Sequence, residues 1–160
     1  MRLVGVISLV LSLFLVSCFD LPYYSKSYVV DSSGWESTDS LRFNFHISDS
    51  TNRYDCAISL SHTGNYPFSN IYLFVDFEFP NGKNRVDTLH ITLADRTGVW
   101  YGSGLGDMTS LDVTLHSGIT FPITGTYVVT VIHGMRRDPL EGVTDLGFRL
   151  EELPLQKQPK

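Results

Sequence analysis

Cys18 is the residue of this chain best placed for covalent chemistry, because everything before it reads as a bacterial export signal. Met1 and Arg2 form a short basic start, Leu3 to Val16 an apolar run, and Leu15-Val16-Ser17-Cys18 matches the lipoprotein cleavage pattern. Small Ser17 lets a peptidase reach the bond ahead of the cysteine. The apolar run is fourteen residues long, short for a membrane-spanning helix, which needs about 20. Cleavage leaves Cys18 as the first mature residue, carrying a thioether diacylglycerol and often an acyl chain on the new amine. One chain gives marginal attachment and two or more give a stable one, so residues 1–17 are read as a signal peptide and Cys18 as a membrane anchor.

The remaining candidates for chemistry are weaker. Asp95 to Asp107 carries glycines at 98, 102, 104 and 106 between two acids. The alternating acid and Asn ligands of an EF-hand are absent, and no strand-helix unit surrounds Gly102-Ser103-Gly104-Leu105-Gly106 to make it a dinucleotide site. A bent strand or wide turn carrying a packed Trp100 is expected instead. The five histidines, at 46, 62, 90, 116 and 133, fall mostly on the polar phase of separate strands, with no HxH or HExxH pair. Ser103 lacks the G-x-S-x-G frame of a nucleophile elbow. Cys56 shares a strand face with Tyr54, Ile58 and Leu60, the position of a buried, inert thiol. Met135-Arg136-Arg137-Asp138 holds the densest charge, and one arginine is expected to pair with Asp138 or Asp145 while the other stays open. No catalytic, cofactor-binding or metal-ligating residue is assigned.

The elements that must position these residues follow a period of two. Leu41, Phe43, Phe45 and Ile47 alternate with Arg42, Asn44 and His46, the pattern of a half-buried strand. The same alternation returns over 71–79, 89–93 and 111–115. A denser apolar strand covers Tyr127 to His133, and a short one covers Leu146 to Leu150. Turn signals at Thr63 to Pro67, Pro80-Asn81-Gly82-Lys83 and Thr124-Gly125 separate them. No stretch keeps a helical period. The prediction is an all-β fold, an antiparallel β-sandwich of about eight strands with little or no helix. Residues 18–40 are expected to be a lipid-anchored tether packing onto the domain, 41–152 the sandwich, and 153–160 a polar tail. Tyr72 and Phe74 break the alternation on an outer face, and cover by the Tyr-rich N-terminal segment is expected.

Loss of Arg2 with the leader takes the net charge from −5 to −6, and no basic stripe follows. Nucleic acid is an unsuitable partner, and no small-molecule substrate is expected. With Cys18 acylated, Cys56 has no cysteine to pair with, so core burial must hold the fold.

Taken together, Cys18, Trp35, Tyr66-Pro67-Phe68-Ser69-Asn70, Asp87-Thr88-Leu89, Trp100 to Gly106, Phe121-Pro122, Gly125-Thr126-Tyr127 and Met135 to Leu140 closely resemble the gliding motility lipoprotein GldH family of the Bacteroidota. The order and spacing of these segments, across nearly the whole mature chain, carry the resemblance. It implies a non-catalytic lipoprotein of the gliding apparatus, linked to type IX secretion, whose partners are other envelope proteins. One departure is Ser61, where arginine is expected. Candidate partner contacts are Tyr66, Phe68, Trp100, Tyr101, Arg136 and Arg137, types that often carry interface energy. A carbohydrate-binding sandwich is the alternative; coplanar exposed rings would favour it, and rings buried under loops would favour a scaffold. Phe19-Asp20-Leu21-Pro22 lacks an acidic surface-export cluster, pointing to the periplasmic face of the outer membrane.

Overall fold

The alternation in the sequence builds two antiparallel sheets packed face to face. The computed structural model describes residues 21–154; Cys18, the leader 1–17 and residues 155–160 lie outside the described residues. Nine strands are described: β1 (Tyr24–Val29), β2 (Leu41–Ile47), β3 (Arg53–Thr63), β4 (Asn70–Glu78), β5 (Asn84–Thr92), β6 (Ser103–Leu105), β7 (Met108–Thr120), β8 (Gly125–His133) and β9 (Val143–Leu153). One sheet has the order β1-β9-β3-β7-β6 and the other β2-β8-β4-β5. The described residues contain no helix.

Within the stretch read as a tether, β1 is a strand in its own right, paired along β9 from Tyr24 opposite Leu150 to Val29 opposite Asp145. Its side chains are mostly solvent-facing, which is why periodicity does not reveal it: an edge strand is held by its backbone ladder. The three residues of β6 are all exposed. Glycine makes its pairing with β7 possible, since a Cβ on Gly104 would collide with the Met108 carbonyl oxygen.

Between the sheets, rings dominate. Phe45 of β2 stacks on Tyr127 of β8 at 5.7 Å and on Phe148 of the opposite sheet at 5.8 Å, and meets Phe121 edge-on at 5.4 Å. Phe43, Ile58, Leu60, Leu73 and Val129 complete the interior with no exposed surface. Cys56 is a free buried thiol; burial first, and the Asp55 carboxylate second, push its pKa up to about 12, so it stays protonated and unreactive.

Since Phe45 bridges both sheets, Phe45→Ala should cost about 3–5 kcal/mol, seen as a lower urea midpoint with an unchanged slope. Leu105→Ala, at a side chain 92% exposed, should stay within about 0.5 kcal/mol.

Candidate functional site

Antiparallel pairing sorts every connection to one of two ends. Residues 21–23, the 48–52 loop, the 80–83 turn, the 121–124 loop and residues 153–154 gather at one end, as the pairing of Arg53 with Thr120 and with Leu153 shows. The described chain begins at this end, at Leu21. At the opposite end stand the loops 30–40, 64–69, 93–102 and 134–142 and the tip of the β6–β7 hairpin. The eleven residues of β3 separate the two ends by about 35 Å.

The distal loops lock onto one another. Trp35 and Leu140 exchange two backbone hydrogen bonds, of 2.9 and 2.8 Å. The Trp35 indole donates to the Asp39 carbonyl at 2.7 Å, and the Asp138 carboxylate accepts from the Ser37 amide and hydroxyl. Those bonds hold the Asp138 carboxyl below its usual range. Gly142 is required where it stands: its φ is +86°, and a Cβ there would lie 2.7 Å from the Tyr66 Cα. The Thr63 amide donates to the Gly142 carbonyl, and the Leu93 and Ala94 amides to the Ser69 carbonyl. Asp95 closes its own hairpin, one carboxylate oxygen accepting from the amides of Thr97 and Val99 and the Thr97 hydroxyl. That oxygen is saturated by the protein, and among the described residues no group of three His, Cys, Asp or Glu side chains is placed to hold a metal ion.

All six candidate contact residues stand at this distal end, with different exposures. Tyr66 is buried, its hydroxyl donating to the Asn70 carbonyl at 2.9 Å, so it supports the 64–69 loop from beneath. Trp100 is half-buried, edge-on to His62 at 4.5 Å and to Tyr66 at 6.4 Å. Phe68 is half-buried beside Tyr66 at 6.0 Å, while Tyr101, Arg136 and Arg137 are exposed. Arg137 pairs with Glu141 at 3.0 Å rather than with Asp138 or Asp145, because Asp138 is already held by Ser37. Arg136 forms no ion pair among the described residues. Ser61, where arginine was expected, is buried with its hydroxyl 2.7 Å from that of Ser110. Trp35 is only 1% exposed, so it offers no ring to a sugar.

Two sequence expectations need correction. The outer-face rings Tyr72 and Phe74 are not covered by the N-terminal segment, which pairs instead with β9 in the other sheet; they remain 41% and 39% exposed. His62 and His133 are buried rather than on polar phases. His62 continues the inward register of Ile58 and Leu60, and His133 that of Val129 and Val131. Counting strand parity past the polar residue type would have found both.

His133 anchors the base of the 134–142 loop. Its Nδ1 accepts from the Met135 amide at 3.3 Å, so Nε2 carries the proton, edge-on to Trp35 and 3.9 Å from the Asp138 carboxylate. Burial pushes the imidazole pKa below its ordinary 6.5, against smaller opposing pulls from the Trp35 backbone and Asp138. The fold therefore prefers the neutral ring. Below pH 6.5 the unfolded chain takes up a proton that the folded ring resists, so this stabilisation is complete above that value and is lost as pH falls from there through the lower pKa of the folded ring. The urea midpoint should begin to drop as pH falls below about 6.5 and go on dropping until the folded ring itself protonates, and His133→Asn, which keeps an acceptor for Met135, should flatten that drop.

The model of the GldH lipoprotein family matches residues 22–150. The chain is 31% identical over 153 residues to the gliding motility lipoprotein GldH of Flavobacterium johnsoniae, spanning 91% of this chain and 94% of that protein. It is 32% identical over 125 residues to a gliding motility lipoprotein GldH homolog of Christiangramia forsetii, spanning 74% and 77%. Among solved structures, a carbohydrate-binding module specific for non-crystalline cellulose aligns with 80% of this chain and 73% of its own at 11% identity and a TM-score of 0.44, too loosely to bear on ligands. With its family model matched across the sandwich and its relatives aligned over most of their length, the chain belongs to the GldH lipoprotein family.

Proposed function

We propose that this lipoprotein is a non-catalytic scaffold of the gliding machinery, pinned to the membrane at one end of its sandwich and offering the other end to envelope proteins. The observation that carries this reading is the polarity of the fold: the described chain begins with Leu21 at one end, three positions after the proposed anchor Cys18 in sequence, and every candidate contact residue stands at the opposite end. Phe68, Tyr101, Arg136 and Arg137 form the accessible part of that surface, and Tyr66 and Trp100 stiffen it from below. Interlocked loops lose little conformational entropy on binding, which favours their use as a docking surface.

The link to type IX secretion, the absence of catalysis and the periplasmic face of the outer membrane belong to this proposal. Burial of Trp35 and Tyr66 and the partial cover of Trp100 favour a scaffold over the carbohydrate-binding alternative, because stacking on a sugar needs a free ring face.

A photo-crosslinking residue placed at Tyr101 or Arg136 should capture discrete envelope proteins in cells, whereas one at Lys83, in the anchor-end turn, should not. Equal capture from both ends, or none from either, would refute the scaffold reading. Cys18→Ser should abolish acylation and release the protein from the membrane fraction; retention with lipid still attached would remove the anchor from the scheme.

A further inference from the structure

The outer face of the four-stranded sheet changes character along β4. Toward the anchor end it carries Asp76 and Glu78, and toward the distal end Tyr72 and Phe74. A groove of about 430 Å³ opens over this distal half. Phe68, Tyr72, Phe74 and Met135 form its apolar walls, and Arg136 stands at its rim. Tyr72 is braced by His90 of β5, stacked at 4.6 Å and 17°. Phe74 leans across Gly134, where a Cβ would lie 2.8 Å from its ring. The Gly134 amide donates to the Tyr72 carbonyl at 2.7 Å and the Tyr72 amide to the Met135 sulfur at 3.3 Å, so the 134–135 segment is fixed against β4 along the groove.

The charge of the groove selects its occupant. The chain carries net −5, yet no acid lines the groove, and the Arg136 guanidinium has no carboxylate partner among the described residues. We infer that this groove docks an extended segment of an envelope protein in which an Asp or Glu stands beside a large apolar side chain, the carboxylate on Arg136 and the apolar group against Phe68, Tyr72 and Phe74. The inference rests on the reading of the distal end as the contact end and names the chemistry of the partner there. A peptide suits the site better than a glycan. One face of Tyr72 is already taken by His90, the Asn70 amide is engaged 3.1 Å from the His90 ring, and no carboxylate is present to bind vicinal hydroxyls. Met135 offers a pliant thioether wall suited to an irregular apolar side chain.

The mature full-length lipoprotein in detergent micelles is titrated with labelled hexapeptides centred on Phe-Asp or Leu-Glu, with their Phe-Asn and Leu-Gln counterparts, and with cellohexaose. The acidic peptides should bind roughly tenfold tighter than the amides. Arg136→Ala should erase that preference, and Tyr72→Ser with Phe74→Ser should abolish binding of both kinds while the urea midpoint stays near the parent's. Equal binding of acids and amides, binding unchanged in the ring variants, binding of cellohexaose instead, or no binding at all would each overturn the inference. A crosslinker at Tyr101 separates the two readings. Capture there with an inert groove leaves the scaffold standing and removes the groove, whereas no capture at Tyr101 or at Tyr72 removes both.

Discussion

The packing of Phe45 across the gap between the sheets is the constraint on which the rest of the molecule depends. Cys56 is the one cysteine among the described residues and is free, so no covalent bond ties the layers together there. Apolar burial must do so, and the rings of Phe45, Tyr127, Phe121 and Phe148 meet where the sheets face each other. Each such aromatic pair adds about 0.5–1.5 kcal/mol beyond the area it buries. Interdigitated rings also fix the spacing and slip of the sheets, because a close-packed interior deforms little. A domain held in this way transmits position. With the lipid at the Leu21 end, as proposed, the height of the distal loops above a membrane would follow from the length of the sandwich.

That height matters because the chain repeatedly returns its connections to the same two ends. The start of β1 and the finish of β9 are neighbours, Tyr24 facing Leu150, so both ends of the described chain lie at one end of the sandwich. The other end is left to loops, and their cross-bonds convert four separate connections into one surface. Asp138 reaching Ser37, Gly142 against Tyr66 and Leu93 bonded to Ser69 each join loops far apart in sequence. Shifting one therefore disturbs the others.

Strands with one wet and one buried face announce themselves in the sequence. β2 and β4 are readable because inward Phe43 and Val75 alternate with outward Arg42 and Asp76, and β8 is readable as the dense apolar run from Tyr127 to His133. β1 and β6 do not, since they bury little and owe their place to backbone pairing that side-chain types do not encode. The candidate contact residues were readable as types, but not their exposure. Tyr66 and Phe68 look alike in sequence, and only the fold places one beneath the loop and the other beside a groove. His62 and His133 show the same limit: residue type argues for solvent, whereas strand parity turns them inward, where Nδ1 of each ring is hydrogen-bonded and Nε2 is buried without a hydrogen bond.

The broken alternation at Tyr72 and Phe74 follows from the same geometry. Had the outer face of β4 evolved for solubility alone, its distal positions would resemble the anchor-end pair, where Glu78 lies 3.9 Å from Arg42. The two rings share this face with Val86 and Val128 toward the anchor end and Ile132 beside Phe74, but they gain nothing from the core, and each leaves apolar surface in water. They are held in fixed positions by His90 and Gly134, which ordinary surface residues do not require. Bracing an exposed ring has a physical return only when something packs against it, and the two rings occur at the end of the strand that a lipid anchor would hold farthest from the membrane.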